Sequence, residues 1–214
     1  MKTFEKNSPK WEKNEILQQL EIFKDLYKHR PIKENIHGMR FQHMFATFFI
    51  LKKLNPSFII ESGVFRGQST WLIENTLPNS EILSIDIDLS KREYISKKAK
   101  YSNIDFKNQN FSNIPNDTLV FLDDHVNHYE RIQQAKFFNI KNIILEDNYL
   151  TEKGDFYTLN HAYDNKGFNH NYTKLSLLKT FLIFSNELVK KLFSKKYIFQ
   201  FEKIKYRLRD YPPN

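Results

Sequence analysis

The sequence has 214 residues, of which 40% are hydrophobic and 27% are charged, a composition typical of one globular domain and unlike that of a disordered chain. The lack of cysteine excludes disulfides, thiolate metal sites and thiol catalysis. No apolar run reaches the roughly 18 residues that span a bilayer, and the first residues do not resemble a signal peptide, so we expect a soluble, cytoplasmic protein.

The net charge is +8, and most of the basic excess lies near the end of the sequence. Residues 172–214 contain ten Lys or Arg and three Asp or Glu. One interpretation is a solvated helix face and a strand edge protected from aggregation by lysine. The other is a surface that contacts a polyanion such as nucleic acid, or a membrane surface.

Two amphipathic helices are predicted before residue 57. Residues 11–29 and 39–54 carry apolar side chains at helical spacing, and the second pattern stops at Asn55-Pro56, where proline disfavours helix in the preceding residue. We expect residues 1–56 to form an N-terminal helical extension and residues 57–214 to form one compact domain.

From residue 58 onward, short apolar runs alternate with helical stretches. The first predicted strand is the apolar run 58–60, which leads into Glu61-Ser62-Gly63, and the others cover 81–85, 104–106, 119–122 and 142–145. The predicted helices cover 68–75, 90–100 and 125–138. Buried strands joined by helices are typical of an α/β fold with a doubly wound, mainly parallel (Rossmann-like) sheet.

The last third of the sequence is predicted to close the domain. Residues 150–171 form a long polar and aromatic connection that we expect to be an ordered cover. Residues 172–195 have the apolar spacing of a helix, and residues 197–209 are predicted to form a C-terminal antiparallel hairpin.

Polar residues follow several of the predicted strands, at the edge where open parallel sheets bind ligands. The first strand runs into a turn with Gly63, Gly67 and Ser69. Gly63 allows a tight turn, and Gly67 allows a ligand or neighbouring backbone to approach closely. Phe65 stands where a dinucleotide fingerprint has its middle glycine, so a pyrophosphate ligand is disfavoured and a purely structural turn remains an alternative.

Asp86 ends the second predicted strand, 19 residues after Gly67. An acid at this place can accept hydrogen bonds from the hydroxyls of a ribose. The alternative is that Asp86 or Asp88 caps the following helix.

Two acidic clusters end the fourth and fifth predicted strands. They are Asp123-Asp124-His125 and Glu146-Asp147-Asn148. Adjacent carboxylates repel one another unless they are protonated, separated or bridged by a cation. Carboxylate and amide oxygens suit Mg²⁺ or another hard divalent cation such as Mn²⁺, whereas helix capping and loop solvation are the alternatives.

The motif Glu61-x-Gly63-x-x-x-Gly67-x-Ser69, with Asp86, the run 120–123 and Asp147-Asn148, resembles the catechol O-methyltransferase-like branch of class I S-adenosylmethionine-dependent methyltransferases. The resemblance covers residues 58–149. It implies that Gly63, Gly67 and Ser69 hold the methionine part of S-adenosylmethionine and that Asp86 holds the ribose. Glu61 and Phe65, in the same motif, complete the cofactor site that we predict.

The same resemblance implies a Mg²⁺ site formed by Asp123 or Asp124 together with Asp147 and Asn148. The chain departs from the family at the catalytic lysine, because Val126 or Asn127 stands three residues after the first metal aspartate. A general base would then be His125 or His128, although each is also a plausible surface residue of a helix.

These features predict a metal-assisted O-methyltransferase that acts on a hydroxylated small molecule or sugar. One alternative is a protein of this fold with altered or lost catalysis, for which the missing lysine is the reason. Another is a noncatalytic nucleic-acid-binding protein that uses the basic C-terminal segment. The sequence leaves a homodimer open.

Overall fold

The structure is a computed structural model, and it describes residues 11–150 and 156–163. The chain divides into two compact units, one of residues 7–148 and the other of residues 1–6 and 149–214. None of the helices in the described ranges is long and apolar enough to cross a membrane.

The first unit begins with two helices, α1 (Lys13–Lys28) and α2 (Phe41–Leu54). Their apolar residues meet around the fully buried Phe23, whose ring lies 5.2–5.5 Å from the rings of Phe41, Phe45 and Phe48. Helix α2 stops where the sequence predicts, since Asn55 adopts a left-handed conformation immediately before the proline.

Within the described residues, five strands form one parallel sheet: β1 (Phe58–Ser62), β2 (Glu81–Ile85), β3 (Lys100–Ser102), β4 (Leu119–Leu122) and β5 (Asn142–Leu145). Their order across the sheet is β3-β2-β1-β4-β5. The register pairs Ser62 with Leu122, and Leu122 with Leu145, so β1, β4 and β5 end side by side. The parallel, Rossmann-like sheet expected from the sequence is confirmed.

Helices cover both faces of the sheet, which makes the fold doubly wound. On one face, α1, α2 and α3 (Gln68–Thr76) pack in a core that includes Trp71, Leu72 and Ile59. On the other face, α4 (His128–Phe137) contributes Ala135 to a core with Phe106. Helices α1 and α2 share this core with β1 and α3. The boundary at residue 56 between an N-terminal extension and the compact domain stays a prediction.

The prediction of a helix over 90–100 is wrong. A single 3₁₀ turn, Leu89–Lys91, follows β2, and the chain then runs without helix to β3. The backbone N–H groups of Glu93 and Tyr94 both donate to the carbonyl of Arg66, at 3.0 Å. These hydrogen bonds to the β1–α3 turn replace the intrahelical bonds that the local pattern predicted.

Two other elements begin three or four residues away from their predicted starts. The third strand covers residues 100–102 instead of 104–106, because the pairing with β2 joins Leu83 to Lys100 and Ile85 to Ser102. Helix α4 begins at residue 128 and not at 125, since the Asn127 side chain accepts a hydrogen bond from the N–H of Tyr129 and caps the helix there.

The second unit is described only at residues 149–150 and 156–163, and it contains the short helix α5 (Leu159–Tyr163). The Thr158 hydroxyl donates to the carbonyl of Tyr149 at 3.0 Å, and the ring of Tyr149 packs edge-on against Phe156. The predicted helix over 172–195 and the C-terminal hairpin over 197–209 lie outside the described residues, as does the basic segment.

Candidate functional site

The turn between β1 and α3 needs glycine at two positions. Gly63 and Gly67 have φ angles of +99° and +90°. A Cβ on Gly63 would lie 2.0 Å from the carbonyl oxygen of Asp123, and one on Gly67 would lie 2.4 Å from that of Tyr94. The close approach that the sequence suggested at Gly67 is therefore made by neighbouring backbone, and Gly63 lets β1 and β4 end in contact.

Glu61 lies completely buried beneath this turn. Its Oε2 accepts hydrogen bonds from the hydroxyls of Thr70 and Ser84, at 2.7 and 2.6 Å. Burial raises the pKa of the Glu61 carboxyl, and the surrounding hydroxyls, with Ser69 among them, oppose that rise. Glu61 thus anchors the first turn of α3 to strands β1 and β2 from below.

Asp86 orders the same turn from the end of β2. Its Oδ2 accepts hydrogen bonds from the backbone N–H groups of Val64 and Phe65, both at 2.9 Å, and its Oδ1 accepts one from Asp88. These bonds hold Phe65 in the left-handed region at φ +47°, in place of the glycine of a dinucleotide fingerprint. Since a carboxylate has about four acceptor sites, these bonds leave room for a ligand hydroxyl.

A cavity of about 410 Å³ opens beside this turn, at the carboxyl edge of the sheet. Seven of the residues that line it are predicted site residues: Gly63, Phe65, Ser69, Asp86, Asp123, Asp124 and His125. The ends of β1, β2 and β4 therefore contribute to one cavity.

The two acidic clusters meet at the ends of β4 and β5. The Asp123 N–H donates to the carbonyl of Ser62 and the Glu146 N–H to that of Leu122, at 2.8 and 2.9 Å, which fixes both chain ends in register. One possible ligand atom each from Asp123, His125 and Asp147 lies within 4.8 Å of the others.

These three side chains form an acidic group, in which Asp123 and Asp147 are partly buried and His125 is exposed. Burial raises the pKa of Asp123 well above its usual value, and the Glu146 and Asp147 carboxylates raise it further, whereas His125 opposes the rise. His125 Nε2 lies 3.1 Å from Asp147 Oδ2, and the His125 side chain is about half exposed. Such mutual repulsion is what a bound cation would relieve.

Asp124 is not part of this group. Its Oδ2 lies 2.8 Å from Nη2 of Arg131 and accepts a hydrogen bond from the Ser62 hydroxyl. Arg131 is almost completely buried and also pairs with Asp105, at 3.1 Å. Between the two aspartates that the sequence could not distinguish, Asp123 faces the other acids and Asp124 neutralises a buried arginine.

The two predicted bases occupy different environments. His128 is buried, and its Nε2 lies 3.0 Å from the carbonyl oxygen of Glu146, so it connects α4 to the end of β5. His125 lines the cavity with φ +54°. Asn148 is exposed beside Asp147, which itself has φ +55°. Unusual backbone at Phe65, His125 and Asp147 thus borders the cavity and the acidic group.

Sequence reasoning missed His43. Its Nδ1 forms a hydrogen bond with Oε1 of Glu146, which is buried. Burial and a hydrogen bond with Asp147 raise the pKa of Glu146 to about 7, and His43 opposes that rise. Only tertiary packing brings His43 to the acidic group, because it lies on α2, more than a hundred residues earlier in the chain.

No protein-family model and no curated protein matches the sequence. Solved structures with partial similarity include cmcI-N160 SAH, at 15% identity and TM-score 0.45 over 68% of this chain and 81% of that chain. SAH-bound Podospora anserina methyltransferase PaMTH1 matches at 13% identity and TM-score 0.44 over 66% and 65% of the two chains. The structure cmcI-D160 Mg-SAM matches at 17% identity and TM-score 0.41 over 68% and 69%. Our fold assignment depends on the strand order and packing described above, and not on these similarities.

Proposed function

We propose that the chain is an S-adenosylmethionine-dependent O-methyltransferase that is assisted by a hard divalent cation and acts on a hydroxylated small molecule or sugar. The observation that supports this most directly is the junction of the cavity beside Gly63 with the acidic group. Asp123 and His125 line the cavity, and both lie close to Asp147.

The cavity has the groups that a sulfonium nucleoside requires. Its walls combine the β1–α3 turn with the carboxylates of Asp86 and Asp88, which can accept hydrogen bonds from ribose hydroxyls. Ser69 lies buried at the start of α3 and lines the same wall. In this proposal Gly63 and Ser69 border the methionine part, and Gly67 shapes the turn by its close approach to the Tyr94 backbone. Asp86 has two roles, to order the turn and to bind the ribose.

The acidic group has the donor set for a cation. Asp123 and Asp147 would hold it through carboxylate oxygens, and His125 through an imidazole nitrogen. Asn148, the exposed neighbour of Asp147 in sequence, would add an amide oxygen. Oxygen donors suit Mg²⁺, and an imidazole makes Mn²⁺ an equally good fit. A cation bound there would lower the pKa of an acceptor hydroxyl and orient it.

The chain's own residues then position the reactants. Hydrogen bonds from Val64 and Phe65 to Asp86 fix the turn, and the Arg131–Asp124 pair fixes the end of β4. His128 holds the carbonyl of Glu146 and so the start of the β5 loop. In-line methyl transfer depends on this kind of fixed geometry, because misplacement by about 1 Å can cost about 10²-fold in rate.

Calorimetry with S-adenosylmethionine and S-adenosylhomocysteine, with and without Mg²⁺ or Mn²⁺, tests the proposal. We expect the nucleoside to bind to the wild type and to Asp147→Asn, and the metal to bind to the wild type but not to Asp147→Asn. Asp117→Asn is a matched control, since Asp117 bonds Ser57 at the opposite edge of the sheet. The absence of binding by either nucleoside under all conditions would contradict the proposal. The cytoplasmic location and the choice of acceptor stay predictions.

A further inference from the structure

A second cavity, of about 350 Å³, lies between α2 and the end of β5, and we call it the β5 groove. Ala46, Ile50 and Ile144 give it an apolar wall. His43, Glu146 and Asp147 give it a polar end. The groove therefore suits a molecule with an apolar face and a polar group at one end.

The polar end of the groove adjoins the acidic group of the first cavity. Asp147 lines the groove, whereas Asp123 and His125 line the cavity beside Gly63, and ligand atoms of all three lie within 4.8 Å of one another. A molecule in the groove and a nucleoside in the cavity would thus approach the same group of side chains.

His43 and Glu146 form an oriented pair at that end. The Glu146 side chain is 7% exposed and the His43 side chain is 60% exposed, so the carboxylate is fixed and the imidazole faces solvent. When Glu146 is ionised, Nδ1–H donates to its carboxylate and Nε2 is the ring nitrogen that can accept a proton. Among the described residues Nε2 has no hydrogen-bond partner. A carboxylate that holds one imidazole nitrogen so that the other can act as a base is a recurring arrangement in enzymes.

We infer that the β5 groove binds the acceptor and that His43 is the general base of the transfer, in the role that the missing lysine leaves open. This inference depends on the proposed function. The acceptor O–H bond breaks and its proton passes to His43 Nε2. The oxygen electron pair forms the new bond to the methyl carbon of S-adenosylmethionine. The bond between the methyl carbon and sulfur breaks, and its electron pair stays on sulfur, so the product is S-adenosylhomocysteine. His43 then releases the proton to water.

His43 suits this role better than the two histidines that the sequence suggested. His128 is buried and hydrogen-bonded to a backbone carbonyl, and His125 lies 3.1 Å from Asp147 within the acidic group. The titratable groups that line the groove are His43 on α2 and Glu146 and Asp147 after β5. The apolar wall of the groove favours hydroxylated compounds with an apolar face.

Catechol is a suitable probe, because it is neutral at pH 7 and combines hydroxyl groups with an apolar ring. Its affinity is measured by calorimetry on protein saturated with S-adenosylhomocysteine and Mg²⁺. We expect Ala46→Trp, which fills the groove, to weaken catechol binding at least tenfold. Lys52→Trp is the control on the exposed side of α2 and should change the affinity less than twofold. Both variants should bind S-adenosylhomocysteine as the wild type does.

His43→Asn tests the role of the imidazole. We expect the affinity for catechol to change less than threefold, the kcat for catechol methylation to fall about 10²-fold or more, and the dependence of kcat on the basic form of a histidine to disappear. Catechol should also shift the Cε1–H proton resonance of His43, assigned by its absence in His43→Asn.

The inference is overturned if Ala46→Trp binds catechol like the wild type, if His43→Asn keeps its kcat, or if a wild type that binds S-adenosylhomocysteine does not bind catechol. A wild type that binds neither S-adenosylmethionine nor S-adenosylhomocysteine overturns the proposed function instead, and this inference with it.

Discussion

The substitution Gly63→Ala tests whether β1 and β4 must touch to build the site. The added Cβ would lie 2.0 Å from the carbonyl oxygen and 2.4 Å from the carbonyl carbon of Asp123, and both atoms belong to the backbone. Alanine at a left-handed φ costs about 1–2 kcal/mol, and forcing packed elements apart costs about 1–3 kcal/mol. We expect a loss of about 3 kcal/mol in unfolding free energy, or roughly 6–12 °C in Tm for a chain of this size.

Gly38→Ala is the matched control for this substitution. Its Cβ would lie 2.3 Å from Nδ2 of Asn35, which is the end of a side chain that can rotate away. Circular dichroism should therefore show a much smaller fall in Tm. Titration with Mn²⁺ should show weakened binding only for Gly63→Ala, because displacement of β4 moves Asp123. A Gly63→Ala protein with the Tm and the Mn²⁺ affinity of the wild type would refute this reasoning.

Three further predictions concern the acidic side chains. Asp124→Asn should lower the unfolding free energy by about 2 kcal/mol in urea denaturation, because Arg131 then keeps only Asp105 as a charged partner. The Mn²⁺ affinity should change little. A loss of Mn²⁺ binding with unchanged stability would contradict this prediction. Mn²⁺ affinity, followed by calorimetry, should rise as the pH increases to about 7 and then level off. The reason is that the pKa of Glu146 is raised to about 7, and its protonation removes a negative charge near the cation. An affinity independent of pH would contradict this prediction. Burial raises the pKa of Glu61 above 4.5, so above about pH 4.5 this carboxyl ionises more readily in the unfolded state than in the folded state. The wild type should therefore lose stability as the pH rises through that range. Thermal melts of Glu61→Gln should not show this loss, and an equal loss in both proteins would contradict the prediction.

The acids at the carboxyl edge of the sheet divide into two kinds. Asp86 and Asp124 have hydrogen-bond or ion-pair partners within the protein, and they hold the ends of β2 and β4 in place. Asp123 and Asp147 lie close to one another, and burial together with the Glu146 and Asp147 carboxylates raises the pKa of Asp123. This division explains why a substitution at Asp86 or Asp124 should disturb the backbone first, whereas one at Asp123 or Asp147 should disturb a bound cation first.

The sequence by itself determined the layers and the edge of the sheet at which the site lies. Apolar runs bounded by polar residues predicted β2, β4 and β5 at the bounds found in the structure, because buried parallel strands are continuous apolar segments. Since all carboxyl ends of a parallel sheet meet at one edge, the positions of Gly63, Asp86, Asp123 and Asp147 at the ends of apolar runs were enough to predict a common site.

The tertiary structure decided what each side chain contacts. Residues 92–99 have helical spacing, yet hydrogen bonds to the turn at Arg66 keep them out of a helix. Asp123 and Asp124 are adjacent in the sequence, and the sequence alone did not distinguish them. In the structure Asp124 pairs with the buried Arg131, whereas Asp123 lies close to Asp147. His43 reaches Glu146 only because α2 packs beside β5. Local patterns encode which face of an element is apolar, whereas the partner of a polar side chain depends on distant segments that meet only when the chain folds.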